Sequence, residues 1–239
     1  MATYLYVLLA AVAGGLVQTV TGFGSVIIMM LFVPLFFPMM EASALCASIT
    51  LLLNLGLCLR NRRYIQWKLI LLPALFYCAA SSLALLFAGD LPVSVLKRLF
   101  GGFLVLLAAY FLFVRSVKLK GSPLSAIGCA SLSGLTHGAF GAGGPPMAVY
   151  FLSVLEGRDT YIGTLQTFYL LTGSYSFVFR IFRGIYTAAL IPFSLVGMAG
   201  VLGGMALGDL IAKHLKTSWM KTAVYILLAF SGILYLIQG

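Results

Sequence analysis

The chain has 239 residues, of which 62% are hydrophobic and only 8% are charged. A soluble domain carries roughly a quarter charged residues, and folding could not hide this much apolar surface even with ~70–75% of the chain surface buried. The 15 Lys and Arg against 5 Asp and Glu give a net charge of +10, but they fall at the ends of apolar runs, where they orient a membrane protein. A soluble enzyme, a nucleic-acid binder and a disordered tail are excluded; the expected partner is the lipid bilayer, and the expected location is the cell (inner) membrane.

In chain order, the apolar segments of the first half are 4–20, 22–38, 43–59, 66–88 and 94–114. Those of the second half are 123–139, 141–155, 160–179, 186–208 and 218–237. The last three of each half approach the ~20 residues that a spanning helix needs, so the expected class is an all-α polytopic membrane protein. Long apolar runs with few turn signals argue against a β-barrel, whose strands are ~10-residue alternating segments. Residues 1–15 have no Lys or Arg before their apolar core, which argues against a cleaved signal peptide. Cys46, Cys58, Cys78 and Cys129 stand singly in apolar stretches and read as small buried thiols.

Sliding the sequence against itself by 119 positions aligns Gly15 with Gly134, Leu16 with Leu135, Gly22 with Gly141 and Gly24 with Gly143. Further along, Pro73 meets Pro192, Gly89-Asp90-Leu91 meets Gly208-Asp209-Leu210, and Leu96-Lys97 meets Leu215-Lys216. Coincident Leu means little in so apolar a chain, but coincident Gly, Pro, Asp and Lys at one offset indicate a duplication, with repeats over 1–120 and 121–239.

In each half the first two segments are separated only by glycine-rich chain. As one helix, residues 4–38 would run about 50 Å, too long for a ~30 Å hydrocarbon core. The pair is therefore expected to fold back as a short-helix hairpin, either re-entrant or as two short spans, which makes the number of crossings per half odd and inverts the repeats. The cytoplasmic side then holds Arg60, Arg62, Arg63, Lys68, Arg115, Lys118, Lys120, Arg158, Lys213, Lys216 and Lys221, against Lys97, Arg98, Arg180 and Arg183 outside, a split of 11 to 4. Parallel repeats give only 9 to 6 by the same count, so the charges favour inverted repeats with both termini outside.

The first junction reads Gly15-Leu-Val-Gln18-Thr19-Val-Thr21-Gly22-Phe23-Gly24-Ser25, and the second Gly134-Leu-Thr136-His137-Gly138-Ala-Phe140-Gly141-Ala-Gly143-Gly144-Pro145-Pro146. Glycine opens a helix, and prolines fit where a new one begins. Unpaired backbone N–H groups at membrane depth survive only facing protein or a water-filled cavity, and helix N-termini there attract anions. The competing reading is that the glycines only let helices pack closely. Two clusters at equivalent positions, each beside polar residues, favour a site. Its candidates are Gln18, Thr19, Thr21, Gly22, Phe23, Gly24 and Ser25 in the first junction, and His137, Gly138, Gly141, Gly143 and Gly144 in the second. Gln166, Tyr169 and Thr172 share a helix face and add polar groups, Asn54 is their main counterpart on 43–59, and Arg180 and Arg183 are candidate cavity charges.

No further ligands accompany His137 at metal-binding spacing, so neither a metal nor a cofactor is expected. His137 suits donation to an anion or carriage of a coupling proton. Asp90 and Asp209 invite comparison with intramembrane aspartyl proteases, which need two facing carboxylates. Inverted repeats would separate them to opposite faces, so they read as helix-terminating or capping residues, and no enzyme is expected.

The spaced glycines Gly15, Gly22 and Gly24, and above all Gly138-Ala-Phe-Gly141-Ala-Gly143-Gly144-Pro145-Pro146, resemble the motifs of the TauE/SafE family of sulfite exporters over essentially the whole chain. The first copy departs from the pattern, with Ser25-Val26 where Gly144-Pro145 stands. The resemblance implies a secondary transporter that exports sulfite, an organosulfonate or a similar small anion. A channel-like anion pore and a carrier of a non-sulfur organic acid are the alternatives. A homodimer is compatible with the sequence, which leaves the oligomeric state open.

Overall fold

A computed structural model describes residues 1–88, 90–113, 121–214 and 229–237. Among the described residues the chain is helical throughout and contains no strand. The first half supplies α1 (Ala2–Thr21), α2 (Ser25–Phe32), α3 (Met39–Arg60), α4 (Trp67–Ala88) and α5 (Val93–Phe113). The second supplies α6 (Pro123–Phe140), α7 (Gly144–Val154), α8 (Arg158–Phe182) and α9 (Ile191–His214), and residues 229–237 are helical. Helices α1, α3, α4, α5 and α9 are each long and apolar enough to cross a membrane.

Both predicted fold-backs are present, and equivalent glycines make them. Helix α1 closes on Gly22, a left-handed residue at φ 87° whose N–H donates to Gln18 O. Helix α6 closes in the same way on Gly141, at φ 73°, onto His137 O. A side chain would strain either turn. The chain then runs back: the rings of Tyr6 and Phe36 stack with centroids 4.8 Å apart, so the first hairpin ends where it began. In the second, a methyl group at Gly121 would lie 3.4 Å from Val154 Cγ1.

The hairpins differ from the expectation of two short arms. Helix α1 has 20 residues and α6 has 18, roughly 30 and 27 Å of rise, whereas α2 has 8 and α7 has 11. The reason is that Gly14, Gly15, Gly134 and Gly138 remain helical. They do what small residues do in membrane helix contacts, letting backbones approach. A methyl at Gly15 would sit 2.6 Å from Val201 O of α9, and one at Gly200 would sit 2.8 Å from Leu8 O of α1. Gly134 and Gly138 press in the same way on Tyr77 O and Ser81 O of α4. Each hairpin therefore leans on a long helix of the other half, α1 on α9 and α6 on α4.

Helices α3 and α8 pack against each other in the middle. Ser43, near the start of α3, accepts a hydrogen bond from Arg180 near the end of α8. Asn61, just past α3, touches Gly163 near the start of α8, so the two helices run antiparallel. Mean hydropathy does not mark α8 as a span, because its polar residues Thr164, Gln166, Thr167, Thr172, Ser176 and Arg180 all turn inward and are buried. Intramembrane polar groups are tolerated facing the protein interior.

The α3 end, the short turn after it and the start of α8 share one end of the molecule, where Gln66 N–H donates to Thr164 Oγ1 at 3.1 Å. Arg60, Arg62, Arg63, Lys68 and Arg158 gather there. Lys97, Arg98 and Arg183 follow the far ends of α4 and α8. Arg115, Lys118, Lys120, Lys216 and Lys221 of the charge count lie outside the described residues, as does the side chain of Lys213. Arg180 leaves that count altogether, being fully buried. Asp209 is a second correction: it lies inside α9 and pairs with Arg60 instead of ending a helix. The register of α9 carries it past α3's charged end, where an arginine satisfies it.

Candidate functional site

The two hairpins meet around a cavity of about 50 Å³. At roughly 10–15 Å³ per enclosed water, that holds a few waters or an ion of about four heavy atoms. The first hairpin lines it with Gln18, Gly24, Val26 and Ile27, and the second with His137 and Gly141 to Gly144. Thr50 and Asn54 of α3, Tyr77 of α4 and Tyr169 of α8 close the sides. Among the described residues no carboxylate lines it, and no cluster of His, Cys, Asp and Glu could hold a metal ion.

Of the residues expected from sequence, the cavity brings together Gln18, Gly24, Asn54, His137, Gly141, Gly143, Gly144 and Tyr169. The rest stand behind it. Thr19 donates to Gly15 O and packs against Gly208, while Thr21 donates to Val17 O and Phe23 O. Gly22 holds the turn, and Phe23 lies against Gly144 of the opposite hairpin. Ser25 starts α2 with its Oγ buried and without a hydrogen-bond partner. Gly138 is packed on α4. Gln166 donates to Gly22 O and accepts from Gln18, so it supports the lining without joining it.

Helix α8 holds both hairpin tips. Gln166, Tyr161 and Arg158 donate to the last carbonyls of α1 and its turn, at Gly22, Thr21 and Thr19. Tyr169 donates to Gly144 O at the start of α7, and Arg180 donates to His137 O at 2.9 Å and Gly138 O at 3.4 Å. The carbonyl ends of α1 and α6 carry partial negative charge, which these donors neutralise. Two lining residues remain: His137, whose Nε2 is buried without a hydrogen-bond partner, and Asn54, which carries an amide.

The N-terminus of α7 offers fewer N–H groups than its position suggested. Pro145 and Pro146 have none, and Met147 N–H donates to Ser133 Oγ at 3.1 Å. At α2, Ser25 N–H donates to Gln18 Oε1 at 3.3 Å, which leaves the amides of Val26 and Ile27 nearest the cavity. Sequence reading missed Thr50 and Tyr77. Thr50 is one hydroxyl among several on α3, and Tyr77 is one of 12 tyrosines with nothing in its neighbourhood to mark it.

Residues 7–235 match the family model described as sulfite exporter TauE/SafE, which is nearly the whole chain. No curated protein and no solved structure matches it. A hairpin-built, carboxylate-free cavity among apolar helices accords with that match, and the chain belongs to the TauE/SafE sulfite exporter family of membrane transporters for sulfur-containing anions.

Proposed function

We propose that the protein exports sulfite, an organosulfonate or a similar small sulfur-containing anion across the cytoplasmic membrane by alternating access, binding it in the cavity between the hairpins. The observation that carries this reading is the combination of a lining without carboxylates and an unpartnered His137 Nε2, with the buried cation Arg180 bonded to the backbone carbonyl of His137. Hydrogen bonds to a charged partner are worth about 1.5–3 kcal/mol each, so two or three donors suffice for a carrier's modest affinity. His137 Nε2 is the atom on which a coupling proton would ride, because it donates to the anion only when protonated.

The halves are read as inverted repeats. Supporting this are the antiparallel run of the equivalent helices α3 and α8 and the reciprocal packing of α1 on α9 and α6 on α4. The moving bodies are then not residues 1–120 and 121–239 but two exchanged groups, α1 and α2 with α9, and α6 and α7 with α4. Rocking these about the α3–α8 contact would open the cavity to alternate sides. An inside-negative potential assists anion export by about 2.3 kcal/mol per charge per 100 mV.

Purified protein in liposomes tests the reading. Saturable efflux of labelled sulfite or methanesulfonate is expected. Lack of flux across sulfur oxyanions, with flux of a carboxylate such as acetate, would reject the substrate class. A conductance far above carrier rates would identify a pore.

A further inference from the structure

Three buried side-chain amides converge at the cavity: Gln18 of α1 and Asn54 of α3 in its lining, and Gln166 of α8 behind them. An amide has a donating and an accepting end of nearly the same shape, so its direction is set by its partners. Here two backbone groups that cannot exchange roles set it. Gly22 C=O only accepts, and Gln166 Nε2 donates to it at 2.6 Å. Gln166 Oε1 must then face Gln18, whose Nε2 donates to it at 3.0 Å. Ser25 N–H only donates, and it reaches Gln18 Oε1 at 3.3 Å, which fixes Gln18 in the same sense. The remaining N–H of Gln18 Nε2 goes to Asn54 Oδ1 at 2.7 Å.

The accepting end of Asn54 is thus occupied, and its Nδ2 has no hydrogen-bond partner among the described residues. Asn54 is only 6% exposed and lines the cavity. Turning it over would bring two donating ends together at Gln18, unless all three amides turned and both backbone anchors broke. Buried polar networks of this kind specify one arrangement strongly.

We infer that Asn54 is a specificity-determining donor of the anion site, with Gln18 and Gln166 as positioning residues that keep its Nδ2, and not its carbonyl, toward the ligand. This rests on the anion reading above and extends it. A carbonyl in that place would repel an oxyanion and favour a cation; the relay from Gly22 decides between them. The relay joins the first hairpin to α3 and α8, so the half whose glycine motif is less complete contributes a side-chain donor through Asn54.

Full-length protein, purified in detergent and also placed in liposomes, provides the test, with sulfite as the probe. Sulfite-induced thermal stabilisation reports binding, and proteoliposome uptake gives KM and Vmax. Asn54→Asp keeps the shape but replaces both N–H groups with a carboxylate oxygen, and should abolish the stabilisation and raise KM at least 100-fold. Asn54→Leu introduces no buried charge, and carries the test should the aspartate variant not fold; KM should rise about 10- to 100-fold. Gln166→Met, which does not line the cavity, should raise KM about 10-fold with Vmax within about 3-fold. Wild-type affinity in Asn54→Leu, or a Gln166→Met protein that loses thermal stability without a change in KM, would overturn the inference. A wild-type protein that neither binds nor carries sulfite would instead overturn the anion reading itself.

Discussion

Arg180 is the only charged side chain that is fully buried among the described residues. Its guanidinium donates to Ser43 Oγ and to the carbonyls of His137 and Gly138, its Nε has no partner, and no carboxylate pairs with it. A buried cation is tolerated only when hydrogen-bonded and electrically compensated. The carbonyl end of α6 supplies part of that compensation, and an anion beside His137 would supply more. Arg180→Lys keeps the charge but loses the planar fork that serves these acceptors. Calorimetric titration with sulfite should show about 10-fold weaker binding in Arg180→Lys and none measurable in Arg180→Leu. Wild-type affinity in Arg180→Leu would remove Arg180 from the account. The sequence marked Arg180 as a charge within apolar surroundings, but an arginine at an interfacial helix end has the same local sequence. Only the packing of α8 against α3, with the hydrogen bonds of Arg180 to α6, separates the two.

At the scale of elements, the glycines divide into two kinds that share one composition. Gly22, Gly24 and Gly141 adopt positive φ and turn the chain, and these set the hairpin tips. Gly15, Gly134, Gly138, Gly200 and Gly204 stay helical and let α1 meet α9 and α6 meet α4. The fold-backs could be read from spacing, because Gly22 and Gly24 recur 119 positions on. Which glycines break the helix could not, since a glycine facing a close neighbour helix and one closing a turn look alike without that neighbour. The hairpins touch where Phe23 Cβ lies 3.4 Å from the position a Cβ would take at Gly144. That separation is close to the Cβ–Cβ spacing of a disulfide, ≈ 3.5–4.5 Å. With Cys46, Cys58, Cys78 and Cys129 replaced, a Phe23→Cys, Gly144→Cys pair should cross-link on oxidation and stop sulfite flux, and reduction should restore it. Undiminished flux in the cross-linked protein would show that the hairpins need not separate.

For the whole molecule, the long helices were legible because their apolar runs match bilayer thickness, and α8 was legible as polar but not as central. The exchange of hairpins between halves was not legible, because it rests on contacts between residues about 190 positions apart, such as Gly15 with Val201. The proposed inversion would place the gathered Arg60, Arg62, Arg63, Lys68 and Arg158 on the cytoplasmic side, and both termini outside. A reporter fused at the C-terminus should therefore read outside; a cytoplasmic signal would overturn the inversion. The central claim is that a small sulfur oxyanion is carried through the inter-hairpin cavity by a protein that exposes it to one side at a time. Counterflow in proteoliposomes tests this most directly. Vesicles loaded with unlabelled sulfite should transiently accumulate labelled sulfite above equilibrium, saturably, and the overshoot should vanish in His137→Ala. Uptake that never exceeds equilibrium, or an undiminished overshoot in His137→Ala, would contradict it.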